Sequence, residues 1–308
     1  MTSTQVQEYR GRFAPSPTGP LHFGSLIAAL GSFLDAKHHQ GAWLVRIEDL
    51  DTPRCIPGAA DAILRTLEEY GLHWDESVMF QSNRNSAYED ALIQLTSKAA
   101  AYPCACTRKE ISDSALTGMG IDGPVYPGTC RNGIPAGKTA RAWRANTDLP
   151  GTQTQRIEFE DLVLGKQSQD LEKESGDFIL KRADGLFAYQ LAVVVDDASQ
   201  GITHVVRGAD LLASTPRQIY LQQQLGFPTL LYLHLPVAKN PAGEKLSKQT
   251  LAPAIDVSRS PLLLMEALVF LGQTPPKDLA TYPNEDILNW AITNWDREAI
   301  TNQLATGN

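Results

Sequence analysis

The sequence predicts an α/β protein built on a parallel sheet flanked by helices, on three observations. Strand-like and helix-like segments alternate through the first 71 residues. The same texture returns after residue 177. Between them lies an irregular stretch rich in Gly and Pro that holds three of the four cysteines. In order, residues 8–14 read as a first strand, followed by a turn dense in breakers, Pro15-Ser16-Pro17-Thr18-Gly19-Pro20. From His22 the chain turns helical, because Phe23, Leu26, Ile27, Leu30, Phe33 and Leu34 fall at steps of three and four, and Gly41 ends that helical stretch. Residues 43–47 form a second strand, closed by the acidic cluster Glu48-Asp49-Leu50-Asp51. A second helix covers 57–70, with Ile63, Leu64 and Leu67 on one face and Gly71 as its C-cap. Residues 102–176 read as an insertion. Regular segments resume at 178–181, at the apolar run 191–195 and at 203–206. Helix follows over 216–225, and 261–271 opens a mostly helical tail.

Composition narrows the function classes. The 308 residues are 43% apolar and 20% charged, which is a globular balance and can bury a real core. Residues 1–10 are polar, so no signal peptide is expected. The longest apolar stretch, 261–271, contains Glu266 and is too short to span a bilayer. Four cysteines in a chain of this size point to a reduced, cytoplasmic setting. The net charge of −8 excludes a broad, sequence-blind nucleic-acid coat, since phosphate contacts dominate such binding. It leaves room for a local basic strip. Residues 131–147 are such a strip: Arg131, Lys138, Arg141 and Arg144, with no Asp or Glu among them.

Two constellations carry phosphate chemistry. In the first, Arg12-Phe13-Ala14-Pro15-Ser16-Pro17-Thr18-Gly19 precedes His22-Phe23-Gly24-Ser25. A strand thus runs through a sharp turn into a helix. Open α/β sheets bind ligands at such strand ends, and a helix N-terminus offers N–H groups and a positive dipole end to phosphate. Gly24 removes a side chain where a nucleotide approaches, and His22 can donate to developing negative charge. In the second, Lys245-Leu246-Ser247-Lys248 sits on a loop opened by Asn240-Pro241-Ala242-Gly243, where two lysines can clamp a triphosphate. Taken singly, the first also reads as a Pro-rich turn with a His-capped helix, and the second as a solvated loop.

Together these segments resemble the two ATP-binding signatures of class I aminoacyl-tRNA synthetases. Three flanking segments resemble the glutamyl branch of that family: 46–51 its acidic strand end, 187–197 its second sheet segment, and 201–210 the stretch that follows. The likeness covers about residues 10–248. It implies a Rossmann-like parallel sheet, with His22 and Lys248 in catalysis and His22, Gly24, Ser25, Lys245, Ser247 and Lys248 binding ATP, accompanied by Mg²⁺. It also assigns glutamate to Arg12, Phe13, Ala14, Pro15, Ser16, Glu48, Tyr189 and Arg207. The chemistry agrees, because free glutamate carries two carboxylates and an ammonium. Two arginines can fork onto the carboxylates, Glu48 can take the ammonium, and Tyr189 can supply a hydroxyl and a wall. Without the resemblance, a strand-end Arg reads as a structural ion pair. The sequence departs from the signatures at Ser25, where many class I enzymes have a second His, and at Gln249, where Ser is common.

The insertion carries Cys104-Ala105-Cys106 and Cys130, with Tyr126 four residues before Cys130 and no His from 102 to 143. Three thiolates on two short segments suit Zn²⁺, which wants four ligands; three free thiols, or a site whose shell water or a carboxylate completes, are the alternatives. The Cys-x-Cys…Tyr-x-x-x-Cys pattern resembles the zinc site of the short paralogues of glutamyl-tRNA synthetase, the glutamyl-Q tRNA(Asp) synthetases. That likeness implies one structural zinc per chain, held by Cys104, Cys106, Tyr126 and Cys130. Cys55 matches nothing and reads as a lone thiol. Only residues 249–308 follow Lys248, whereas an anticodon-reading domain needs on the order of 100 residues. The expected organisation is a first catalytic half (8–100), a zinc-binding acceptor subdomain (101–177), a second catalytic half with the lysine loop (178–250) and a helical C-terminal region (251–308).

The resemblance implies ATP-dependent activation of glutamate and transfer of the glutamyl group to queuosine in the anticodon stem-loop of tRNA(Asp). It implies neither a membrane nor an obligate protein partner. Two other readings stand beside it: a truncated glutamyl-tRNA synthetase that charges tRNA 3′ ends, and a non-catalytic RNA-binding paralogue.

Overall fold

A computed structural model describes residues 8–114, 119–120, 123–149, 156–238 and 253–306. The first part of the chain runs β1 (Arg10–Phe13), α1 (Phe23–His38), β2 (Ala42–Ile47), α2 (Ala59–Glu69), β3 (Met79–Phe80) and α3 (Asn85–Ser97). The middle runs β4 (Ala101–Cys104), α4 (Arg108–Ser114), β5 (Met119–Gly120), β6 (Gly123–Pro124), β7 (Ala142–Ala145), β8 (Arg156–Asp161), β9 (Gly165–Asp170) and α5 (Leu171–Glu174). The remainder runs β10 (Ile179–Lys181), α6 (Tyr189–Ser199), β11 (His204–Gly208), α7 (Thr215–Leu225), β12 (Leu231–Leu235), α8 (Ser260–Phe270), α9 (Asn284–Asn294) and α10 (Arg297–Thr306).

Two parallel sheets form the frame. β1 pairs with β2 and β2 with β3, all parallel. β11 pairs with β12 and β12 with β8, again parallel, and β9 closes that sheet antiparallel. The sheets meet where the Thr203 N–H donates to the Arg10 carbonyl at 2.9 Å. Strand order therefore reverses between β1 and β11, and in open α/β sheets a ligand crevice lies at the carboxyl ends of the strands flanking such a point. Among the described residues, 101–177 contributes strands to three sheets: β4 and β7 pair antiparallel with each other and β7 with β10, β8 joins β12, and β5 and β6 pair antiparallel as a small ribbon.

α1 organises the core. Its buried face, Leu26, Ile27, Leu30 and Leu34 among others, packs on β1, β2 and β11 and on α8 and α9. Gly31 permits the closest approach, since a Cβ there would meet Leu235 Cδ1 at 2.6 Å. The turn after α1 uses its glycine differently from expectation. Gln40 takes the left-handed conformation (φ 56°), and Gly41 is small because a Cβ would lie 2.3 Å from the Tyr9 carbonyl oxygen. The helical C-terminal part is clasped onto α1 through buried Asp35, which accepts from Trp295 Nε1 (2.9 Å) and from Arg297 Nε and Nη2 (2.7 and 2.9 Å). Among the described residues no helix is long and apolar enough to cross a membrane.

One expectation is overturned. The run 191–195, read as sheet, is the middle of helix α6. A short continuous apolar run has no periodicity to separate a buried strand from a helix buried on every side. α6 is of the second kind: it packs against α3 and α7, and every residue from 191 to 197 is buried. That burial outweighs the strand preference of three consecutive valines.

Candidate active site

A cavity of about 960 Å³ opens at the carboxyl ends of β1, β2, β11 and β12. It gathers the expected residues from five separate stretches. Arg12, Phe13, Ala14, Pro15 and Ser16 line it from the end of β1, and His22, Gly24 and Ser25 from the start of α1. Glu48 enters after β2, Tyr189 from the first turn of α6, and Arg207 from β11. Lys245, Ser247 and Lys248 lie outside the described residues.

His22 caps α1: its Nδ1 accepts the Ser25 N–H at 3.3 Å. A neutral imidazole accepting at Nδ1 carries its proton on Nε2, so His22 is set as a donor from that atom. The capping reading of His22 is realised, and the same geometry keeps an Nε2–H that can donate to a ligand.

The charges in the cavity wall are held by one another. Arg12, 3% exposed, donates to Asp197 from Nε (3.1 Å) and Nη2 (3.5 Å). Arg46 is fully buried; its Nη2 lies 2.8 Å from Asp197 and 3.5 Å from Glu48, and its Nη1 donates to Gln200 at 2.7 Å. Asp197 therefore stands between two guanidiniums. Burial opposes its ionisation, but Arg12 and Arg46 more than offset this and hold it below the usual carboxylate range. Glu48 is the opposite case. Burial pushes it up to about 7 despite Arg46 and Arg12, because Asp197 and Asp196 also face it. Its Oε1 makes no hydrogen bond and faces Arg46 Nη2 at 3.5 Å.

Arg207, 5% exposed, has all five donors directed at neighbours. Nε donates to His234 Nε2 (3.2 Å), Nη1 to Gln218 (2.8 Å) and Tyr189 Oη (3.4 Å), and Nη2 to Thr215 Oγ1 (2.8 Å) and the Leu211 carbonyl (3.3 Å). The two long contacts, to Tyr189 and Leu211, are the ones a carboxylate can replace most cheaply.

Sequence reasoning named neither Asp197 nor the residues that hold Arg207. An acidic pair closing an apolar run, Asp196-Asp197, was the available signal for the first. A cationic rim was also missed. Arg54, Arg108 and Arg182 line the cavity, with Arg54 Nε 2.7 Å and Arg182 Nη1 3.1 Å from Asp51.

The expected metal ligands also converge. The Sγ atoms of Cys104, Cys106 and Cys130 lie within 4.8 Å of one another. Tyr126 Oη lies 3.3 Å from Cys104 Sγ and 3.5 Å from Cys106 Sγ, and accepts the Cys130 N–H at 3.0 Å. Burial pushes the Tyr126 phenol up, as do its contacts with the three thiols. The thiols are unbridged; Cys104 and Cys130 are buried with Tyr102, Ala105 and Tyr126 in a small cluster, and Cys106 packs against it. So small a core needs a staple, and three thiols beside a phenol suit zinc. Cys55 stands apart, its thiol donating to the Asp51 carbonyl at 3.4 Å.

The basic strip is not a row of open cations. Arg131 donates to Asp177 from Nε (2.6 Å) and Nη2 (2.9 Å) and pairs with Asp148 at 2.8 Å. Arg144 is buried, lies 4.0 Å over the Tyr126 ring and donates to the Asp177 carbonyl at 2.7 Å. Lys138 pairs with Glu110, and Arg141 is exposed. The sequence distance of 28 or more residues hid Asp177 and Glu110 from a count of local charge.

Comparison with known proteins agrees with the architecture. Residues 8–302 match the class I tRNA synthetase (E and Q) catalytic domain. The glutamyl-Q tRNA(Asp) synthetase of Dechloromonas aromatica is 60% identical over 296 residues, covering 96% of each chain. That of Thiobacillus denitrificans is 58% identical over 290 residues, covering 94% of each. Among solved structures, the glutamate–tRNA synthetase of Elizabethkingia anophelis superposes with a TM-score of 0.75 at 25% identity, over 95% of this chain and 66% of that one. On these grounds the chain belongs to the class I tRNA synthetases of the glutamyl and glutaminyl type, and among them to the glutamyl-Q tRNA(Asp) synthetase family.

Proposed function

We propose that this protein is a ligase that activates glutamate with ATP and transfers the glutamyl group to queuosine of tRNA(Asp). The observation that carries the reading is one cavity whose wall brings together two buried arginines, Arg12 and Arg207, and the carboxylate of Glu48, the complement of free glutamate. The α-carboxylate attacks the ATP α-phosphate, a C–O–P linkage forms, and the bond to the β-phosphate breaks to release pyrophosphate. A hydroxyl of the queuosine cyclopentenediol then attacks the anhydride carbonyl, losing its proton as AMP leaves. Arg12 and Arg207 hold the carboxylates, Glu48 the ammonium, and Tyr189 and residues 13–16 the walls. The His22 Nε2–H and the α1 N-terminus face the phosphates, and Gly24 and Ser25 give them room. Lys245, Ser247 and Lys248 complete ATP binding, with Lys248 neutralising the α-phosphate and Mg²⁺ accompanying ATP.

Zinc bound by Cys104, Cys106, Cys130 and Tyr126 supplies structural cross-linking. Residues 101–177 then serve the RNA side, apart from β8 and β9, which belong to the catalytic sheet; 8–100 and 178–250 serve the chemistry, and 251–308 the helical cap. Contacts to RNA phosphate fall to Lys138, Arg141 and the cavity-rim arginines.

Labelled glutamate and ATP are incubated with queuosine-containing and queuosine-free tRNA. Label confined to the queuosine-containing pool, and located in the anticodon loop, is the expected result. Equal labelling of both pools, or an ester at the 3′ end of tRNA(Glu), overturns it. Protein purified without added metal is expected to hold about one zinc per chain, and less than roughly a tenth refutes the structural site.

A further inference from the structure

One buried pair has no part in the chemistry described above: Asp161, at the end of β8, and His234, on β12, both with side chains 0% exposed. His234 is the register partner of Arg207 across the β11–β12 ladder, and Asp161 ends the next strand over. Three adjacent parallel strands thus each contribute one member of a row: Asp161 Oδ2 to His234 Nδ1 (2.6 Å), then His234 Nε2 to Arg207 Nε (3.2 Å).

Hydrogen-bond accounting leaves one arrangement. Asp161 Oδ1 accepts the backbone N–H groups of Val163 (3.1 Å), Leu164 (2.9 Å) and His234 (3.3 Å). Burial opposes ionisation of Asp161, but the His234 ring and these N–H groups outweigh it and hold the carboxyl below its ordinary range. As a carboxylate it only accepts, so His234 Nδ1 carries a proton. A second proton on Nε2 would face the permanently charged guanidinium, and burial already drives His234 toward neutrality. His234 Nε2 is therefore a bare acceptor, facing both Arg207 Nε and the Thr215 hydroxyl, which lies 3.2 Å away and itself accepts from Arg207 Nη2.

We propose that Asp161 and His234 are positioning residues for the amino-acid substrate: Asp161 locks the His234 tautomer, and the locked ring fixes the guanidinium of Arg207 toward the cavity. The proposal rests on the assignment of Arg207 to glutamate. The Nε contact anchors one edge of the guanidinium, and the contacts to Gln218 and Thr215 fix its plane. The replaceable bonds are left on the side of Tyr189 and Leu211.

Asp161→Asn tests it sharply. An asparagine that keeps its oxygen on the three backbone N–H groups must turn its NH₂ toward Nδ1. The ring then carries its proton on Nε2 and opposes donor to donor at Arg207. Glutamate-dependent ATP–pyrophosphate exchange is expected to show a glutamate KM raised tenfold or more, with the ATP KM within twofold. A folded variant with glutamate KM within twofold, or with both KM values raised alike, overturns the proposal. Nitrogen-15 NMR of the wild-type protein reads the tautomer without any variant, the His234 signals being identified by their loss in His234→Gln. A protonated Nδ1 and bare Nε2 at pH 7 is the expected result; the reverse, or a doubly protonated ring, overturns it. Should the wild type exchange only with a different amino acid, the glutamate assignment fails, while the tautomer still reports on the relay.

Discussion

Two pairs of arginines invite comparison. Arg12 and Arg207 stand in the catalytic cavity, Arg131 and Arg144 in the zinc-binding part, and the sequence offers all four as contacts for anionic ligands. All four are tied to protein partners: Asp197 for Arg12, His234, Gln218 and Thr215 for Arg207, and Asp177 for Arg131 and Arg144. The difference is the far side of each guanidinium. Arg12 and Arg207 border the cavity, and Arg207 retains two long, exchangeable contacts. Arg144 is sandwiched over Tyr126, and Arg131 spans Asp148 and Asp177. A buried, partnered arginine is thus a ligand-binding group in one place and a strut in the other. What separates them is whether a donor can be exchanged for a ligand at small cost.

The largest test of that contrast is Arg207→Ala. Loss of a desolvated charge on a carboxylate costs about 4 kcal/mol, on the order of a thousandfold in kcat/KM for glutamate in pyrophosphate exchange, measured on the folded variant below its own unfolding transition. A large fall in stability with kcat/KM retained would make Arg207 a strut like Arg131. Next is Asp177→Ala, which strands the charge of Arg131 beside a 1%-exposed site. About 3 kcal/mol of unfolding free energy is expected to go, read by denaturant titration, while the glutamate KM stays within twofold. A raised KM with full stability would move Asp177 into the binding machinery.

The smallest effect is on pH. Glu48 sits at about 7 because burial disfavours its charge, and only the carboxylate can hold an ammonium. The glutamate KM should therefore rise as pH falls below about 7, approaching tenfold per unit, and level off above it. A flat profile from pH 5.5 to 8 removes Glu48 from ammonium binding. The stability sign follows from the same shift. A folded value above the ordinary 4.5 means the folded state holds the proton more tightly, so Glu48 contributes less to stability as pH rises from 4.5 toward 7.

How much was legible can be judged from particular residues. The order of strand, turn, His-capped helix and strand came from local signals: breakers at 15–20, helical spacing from Phe23 to Leu34, and an acidic strand end. The convergence of Arg12, Glu48, Tyr189 and Arg207 followed from the family resemblance and is realised as a common cavity lining. Helix α6 was misread because a continuous apolar run lacks a period. Asp161 and His234 carried no motif at all: they are 73 residues apart and meet only because β8 is laid beside β12.

By itself, then, the sequence determined the α/β class, the glutamyl-type signatures and the residue types a glutamate site requires. Each of these depends on spacing within a few residues or on chemical identity. The tertiary structure alone decided which arginines face the cavity, which carboxylate keeps its charge and which is pushed toward neutrality, and what holds Arg207 in place. Those outcomes depend on burial and on partners brought from distant strands, and neither is encoded in a local pattern.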